Sequence, residues 1–230
     1  MMLLARPPVA QAQVMDKMIY SFALLDRLEY RPAGVESAFQ HEFVGWIGGD
    51  LHRLWVKSEG SVSSRGDGTD VELQALYGKL VHPYWDLQVG GRVDLQAEDG
   101  STRTRAFAAI GLEGLAPYWF DVEPTVFVSQ DGDLSARLTT SLDMFLGQRL
   151  IAQPRVEVNG AFQDVPDFGV SAGLNDLDLG LRLRYELRRE FAPYLGVSWL
   201  RRFAGAADAA RDEGRPVGRA SVLIGIRTWF

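Results

Sequence analysis

The chain has 230 residues, 24 of them basic and 30 acidic, spread along its length for a net charge of −6. No basic patch marks a nucleic-acid surface, the absence of cysteine excludes a disulfide framework, a thiolate zinc site and a thiol nucleophile, and no apolar run reaches the roughly 18 to 20 residues of a membrane helix. A barrel that crosses a membrane with strands is not excluded, and no Pro/Gly/Ser-rich linker divides the chain into two domains.

Residues 1–17 contain the short apolar start and Ala-x-Ala-like end of "MMLLARPPVAQAQ", without a basic n-region or an apolar core of adequate length. They read as a truncated export signal or a disordered tail, and residues 18–230 read as one domain. From residue 18 a period of two takes over. Strands are expected near 18–31, 39–47, 50–61, 70–81, 85–97, 102–115, 118–130, 133–145, 148–162, 174–188, 192–204 and 218–230. In 86–98, Leu87, Val89, Val93 and Leu95 share one face, and Asp86, Gln88, Arg92 and Asp94 the other. In 135–144, Ala136, Leu138 and Thr140 oppose Arg137 and Asp143. In 176–189, Leu177, Leu179, Leu181 and Leu183 oppose Asp176, Asp178, Arg182 and Arg184.

These runs last about 10 to 14 residues, longer than the five or six of a common soluble strand and suited to a tilted membrane strand of about 9 to 11 with solvated ends. Their polar faces carry both signs of charge in mid-strand, which a soluble β-sandwich seldom does and a salt-bridged or water-filled lumen explains. The expected fold is all-β, a closed antiparallel transmembrane β-barrel of about 12 strands of the outer-membrane type, with both termini periplasmic. Connections after even-numbered strands are tight, whereas those after odd-numbered strands include "PAGVESA", "VSSRGDGT", "QDVPDFGVSAG" and "GAADAARDEGRPV". Three Pro-Tyr clusters fall at tight turns of the periplasmic rim, so Tyr84, Trp85, Tyr118, Trp119, Phe120 and Tyr194 are expected as girdle aromatics at headgroup level. Pro124 and Pro154 lie inside strands and are expected to cause bulges or to need a lumenal water.

A hairpin through Gly48 and Gly49 that sets residue 47 opposite 50 places His41 opposite Val56, roughly 13 Å along from His52 and too far to share a metal at about 2 Å. It also puts Glu42 diagonal to Arg53 and Lys57 on the inner face. The lumen is expected to be lined by Glu42, Arg53, Lys57, Glu72, Asp86, Arg92, Asp94, Asp121, Glu123, Asp143, Arg155, Glu157, Asp176, Asp178, Arg182 and Arg184. Such a lining is either a salt-bridged wall or a cation path.

Several long segments carry a resemblance: "GWIGGDLHRLWVKSEG" (45–60), "VELQALYGKLVHPYWDLQVGGRVD" (71–94), "GLEGLAPYWFDVEPTVFV" (111–128), "QRLIAQPRVEVN" (148–159) and "GLNDLDLGLRLRYELRREFAPYLGVSW" (173–199). In this order they resemble the copper resistance protein B family, over about residues 16–230. The resemblance implies a bacterial outer-membrane protein of copper tolerance, surrounded by outer-membrane lipid, with copper ion bound or transported and a periplasmic multicopper oxidase as a partner. Phe230 resembles the C-terminal aromatic by which such barrels are recognised for assembly. Family members typically carry a Met- and His-rich leader; here Met15 and Met18 stand at its end, and His52 occupies a position where the family more often has Asn. Thioether and imidazole suit copper, so Met15, Met18, His52 and His82 are the candidate metal ligands, against the plain alternative of a frayed tail and a strand start. The alternatives to copper handling are a structural or passive pore barrel and a barrel-embedded hydrolase. No Ser pairs with a His at a plausible site, so an enzyme is not expected.

Overall fold

The computed structural model describes residues 18–32, 37–63, 68–98, 100–212 and 214–230. Twelve antiparallel strands follow in chain order: β1 (Tyr20–Tyr30), β2 (Ser37–Gly48), β3 (His52–Ser63), β4 (Gly68–His82), β5 (Trp85–Glu98), β6 (Ser101–Ala116), β7 (Phe120–Ser129), β8 in two segments (Leu134–Ser141 and Met144–Phe145), β9 (Leu150–Ala161), β10 (Gly173–Tyr185), β11 (Phe191–Arg202) and β12 (Gly218–Trp229). Each pairs with its neighbours in sequence, and β12 pairs back onto β1, so the sheet closes into a barrel without a free edge. Among the described residues no helix is long and apolar enough to cross a membrane.

The alternation sorts charge from hydrocarbon. On β10, Leu179, Leu181 and Leu183 are exposed on the outer surface, whereas Arg182 and Arg184 keep only 3% and 2% of their surface accessible. The same outer surface shows Leu54, Val56, Val89, Ile110, Val126, Val197, Val222 and Ile224. Near the terminal rim it carries Tyr20, Tyr77, Tyr84, Tyr118, Trp119 and Phe120, and near the opposite rim Tyr30, Phe39 and Trp199. Aliphatic residues thus lie between two aromatic belts. The turn Pro117–Trp119 has Tyr118 and Trp119 both left-handed, with φ of 68° and 67°. Consecutive left-handed residues supply the twist of a tight hairpin, and here both rings stand 86% and 72% exposed, at headgroup level.

Four local features depart from the sequence expectations. The β2–β3 register pairs Gly48 with Arg53, because Gly49 to Leu51 form a longer turn in which the Gly49 N–H donates to the His52 carbonyl at 3.0 Å. His41 therefore faces Gly60 instead of Val56, and Glu42 faces Glu59 rather than lying diagonal to Arg53. The slip is even, so every side chain keeps its face. Tyr194 is not a girdle residue: it follows Ala192 onto the inner face, is 5% exposed, lies against Gly225 and donates its hydroxyl to Glu29 at 3.2 Å. Neither strand proline shifts the register. Instead the β6–β7 ladder is interrupted beside Pro124, and β8 breaks at Leu142 and Asp143 opposite Pro154, whose carbonyl accepts the Leu142 N–H at 3.2 Å. Finally, the β11–β12 connection holds a short helix, α1 (Ala204–Asp212), which the strand pattern did not indicate.

A real bulge occurs in β1. Leu25 pairs with Phe43 and Arg27 with Glu42, leaving Asp26 as an extra residue. The phase reverses there: Phe22, packed near Trp46 and Trp229, faces inward before the bulge, and Arg27 and Glu29 face inward after it.

If Leu179 faces lipid at mid-strand, Leu179→Arg costs about 2 to 4 kcal/mol. Reversible urea unfolding in lipid vesicles measures this, and a variant as stable as the parent would refute the outward assignment.

Candidate functional site

The lumen is crossed by ion pairs. Arg155 on β9 donates to Glu42 on β2 at 2.5 Å, although the two strands stand five places apart around the ring. Glu42 also accepts from Arg27, which reaches Glu59 at 2.9 Å. Arg155 holds Glu157 at 3.0 Å, and Arg137 on β8 grips Glu72 on β4 with two bonds of 3.0 and 2.9 Å. Arg92 joins Glu72 at 2.8 Å and Asp94 at 2.7 Å. Arg137 also lies 3.6 Å from Glu59 and 3.8 Å from Glu157, which makes the chain of charges continuous from β1 to β5 across the interior.

Nearer the terminal rim, Lys57 donates to Glu113 and Glu123, both at 2.7 Å, and so ties β3 to β6 and β7. Arg53 meets Asp86 at 2.8 Å, Arg184 meets Asp143 at 2.6 Å and Arg227 meets Asp26 at 2.6 Å. Glu29, fully buried, accepts from Arg182 at 2.6 Å and from Tyr194. One side of the lumen is instead packed by Trp55, Leu76, Phe107, Ala109 and Phe127, with Val44 and Trp46 against them. The Arg53 guanidinium lies over the Trp46 ring at 4.7 Å.

Buried pairs of this kind add little net stability, because desolvation offsets attraction, yet removing one partner is costly. Each guanidinium neutralises the carboxylates it touches, so displacing one leaves uncompensated charge in the lumen.

Of the residues expected in the lumen, Glu42, Arg53, Lys57, Glu72, Asp86, Arg92, Asp94, Glu123, Asp143, Arg155, Glu157, Arg182 and Arg184 all stand in the pairs above. Asp176 accepts from Asn159 at 2.9 Å. Asp121 and Asp178 lie on the inward face of their strands and make no ion pair with another described residue. Arg27, Glu29 and Glu113 stand in these pairs but not in the expected lining, and the same holds for Asp26, Glu59, Arg137 and Arg227. "LLDRLE" hides Arg27 and Glu29, since a constant period of two from the start of β1 puts them on the same face as Ser21, Ala23 and Leu25, the outward face before the bulge; the adjacent leucines before Asp26 are the sign of the slip. Glu113 shares its face with Phe107, Ala109 and Gly111, which made the polar side of β6 hard to recognise.

The candidate metal ligands lie elsewhere. Met15 falls outside the described residues. Met18 is exposed, with its sulfur accepting from the Tyr20 hydroxyl at 3.5 Å. His52 points to the outer surface, stacked on Tyr77 at 5.8 Å with Nδ1 2.5 Å from the Tyr77 hydroxyl, and His82 lies 6.5 Å from the Tyr84 ring. All three sit at the terminal rim, each against a different tyrosine. His41, also outward, meets Ser58 at 3.0 Å and, opposite Gly60, is roughly 26 Å along the sheet from His52. Among the described residues, no three His, Asp or Glu side chains converge as a metal site.

Comparison with known proteins follows the same line. The family model described as copper resistance protein B precursor matches residues 19–230. Copper resistance protein B of Escherichia coli is 44% identical over 215 residues, covering 94% of this chain and 71% of that protein. A copper resistance protein B homolog of Pseudomonas syringae pv. tomato is 40% identical over 218 residues, covering 95% and 72%. Among solved structures, the NanC porin superposes with a TM-score of 0.54 at 12% identity, over 90% of this chain and 98% of the porin, a likeness of fold alone.

Glu42→Ala leaves both Arg27 and Arg155 without their shared carboxylate and is expected to cost about 3 kcal/mol, at the low end for a broken buried pair because the lumen is partly solvated. Asp178→Asn, which breaks no pair, should stay within about 1 kcal/mol of the parent. Equal effects of the two changes in urea unfolding would remove the distinction between paired and unpaired lumenal charge.

Proposed function

The chain belongs to the copper resistance protein B family, and on that premise we propose that it gives copper a guarded passage across the bacterial outer membrane, the ion being cargo rather than a resident cofactor. Its closed strand barrel, with an apolar exterior against lipid, is one of the outer-membrane type, and the family's role is copper resistance. The observation that carries the reading is the bond from Arg155 to Glu42 across the lumen, with Arg137–Glu72 beside it. A lumen closed by paired charges excludes sugars and other neutral solutes. It yields locally to a cation that takes the place of an arginine between two carboxylates.

Carboxylates alone do not distinguish copper from other divalent ions, so selectivity needs softer donors. In this reading Met15, Met18, His52 and His82 are the soft donors. The positions of Met18, His52 and His82 on the outer edge of the barrel at the terminal rim suit exchange with a periplasmic carrier, for which a multicopper oxidase is the partner proposed. Entry to the lumen from that side passes Asp121 and the Lys57 pairs.

Purified barrel in liposomes is expected to release or admit copper faster than a small neutral sugar, whereas a passive pore would pass both at comparable rates. Replacing Met15 and Met18 by Leu together with His52→Ala should lower copper binding while leaving the barrel folded. Unchanged copper stoichiometry in that variant would move selectivity away from these residues.

A further inference from the structure

Above the central pairs, on the side away from the termini, the lumen widens into a cavity of about 270 Å³. Its wall contains an alternating stack of rings and guanidinium groups. Phe168 lies 4.5 Å from the Arg105 guanidinium, which lies 4.9 Å from Phe107; Arg92 sits 4.9 Å from Phe107 and 4.5 Å from Phe127, and Arg137 follows at 5.7 Å. Stacking on rings fixes the planes of the guanidinium groups.

Phe168 comes from the β9–β10 connection, which is tied down where it rejoins the barrel. Asn175 accepts the Ser171 N–H at 2.8 Å and donates to the Ser171 carbonyl at 2.9 Å, while the Ser171 hydroxyl accepts the Ala206 N–H of α1 at 3.2 Å. The cavity is therefore bounded by an ordered segment on its outer side.

The hydrogen-bond inventory of this wall is unbalanced. Its carboxylates are already engaged: Asp133 accepts from Arg105, Asp94 accepts two bonds of 2.7 Å from Arg92, and Asp176 accepts from Asn159. The buried side-chain atoms that the described residues of the wall leave without a partner are Arg105 Nε and Gln163 Nε2, and both are donors. Arg105 as a whole is 7% exposed. A buried N–H with no acceptor is costly, so the site is complementary to a molecule that brings oxygen acceptors.

We propose that this vestibule binds a small polycarboxylate, free or as its Cu(II) chelate. Charge-assisted bonds from Arg105 and a bond from Gln163 would receive carboxylate oxygens, and the faces of Phe107, Phe127 and Phe168 would receive the carbon skeleton. The volume lies just below the roughly 300 to 1,000 Å³ of drug-sized ligand pockets, which suits an acid of a few carbons rather than an oligosaccharide. Inorganic phosphate offers the oxygens without a skeleton for the rings. The proposal is independent of whether copper traverses the lumen, since the free acid suffices.

Isothermal titration of the full-length barrel in nanodiscs tests it, with citrate, Cu(II)-citrate, inorganic phosphate and copper sulfate as separate titrants. Citrate is expected to bind saturably and more tightly than phosphate, and Arg105→Lys and Gln163→Leu should each weaken it about tenfold, the loss of one strong hydrogen bond. Neither residue belongs to the central pairs, and retention of the folded band on unheated gels shows that each variant is intact. Tighter binding of Cu(II)-citrate than of citrate identifies the chelate as the ligand, and equal binding identifies the free acid. Absence of saturable citrate binding, phosphate binding as tight as citrate, or equal affinity in parent and variants would overturn the proposal and show that water alone satisfies these donors.

Discussion

Hydrocarbon on the outer face of a strand leaves its ionisable side chains one destination, the lumen, and most of this structure follows from that restriction. Charges at the bilayer midplane cost about 2 to 4 kcal/mol each on the lipid face. A period of two then delivers every second residue to an interior that is narrow for twelve strands. Long side chains from facing walls meet there, and opposite signs pair. Arg155 reaching Glu42 is the plainest instance, but Arg137 with Glu72 and Lys57 between Glu113 and Glu123 obey the same geometry. Closure of the sheet and burial of charge are two results of one sorting rule.

The ion pairs and the soft donors occupy different parts of the molecule, and this division shapes the functional reading. Glu42, Glu59, Glu72 and Glu157 share Arg27, Arg92, Arg137 and Arg155 inside the barrel, whereas Met18, His52 and His82 stand at its terminal rim against tyrosines. In the function proposed above, the hard-oxygen interior would discriminate by charge and the thioether and imidazole rim by metal.

Strand positions were legible because alternation persisted for long stretches with turns between them, and β5, β10 and β12 lie close to where the periodicity put them. Where an interaction depended on register, alternation said less. It assigned Glu42 to the lumen but paired it with the wrong neighbour, since the length of the 49–51 turn carries no hydrophobic signal. A bulge at Asp26 reversed the phase of β1 and concealed Arg27 and Glu29. Tyr194 misled for a different reason: proximity to a proline suggested a girdle aromatic, while its strand parity placed it inside with Glu29. Cross-lumen partners such as Arg155 and Glu42 lie 113 residues apart in the chain, so only closure brings them together.

Closure of the lumen by paired charges is most directly tested by single-channel recording in planar bilayers, comparing the parent barrel with Arg155→Ala. The parent should show almost no steady conductance, and the variant, with Glu42 and Glu157 released from one wall, should conduct cations measurably above it. A parent barrel that conducts steadily, or an Arg155→Ala barrel indistinguishable from it, would contradict a lumen held shut by these pairs.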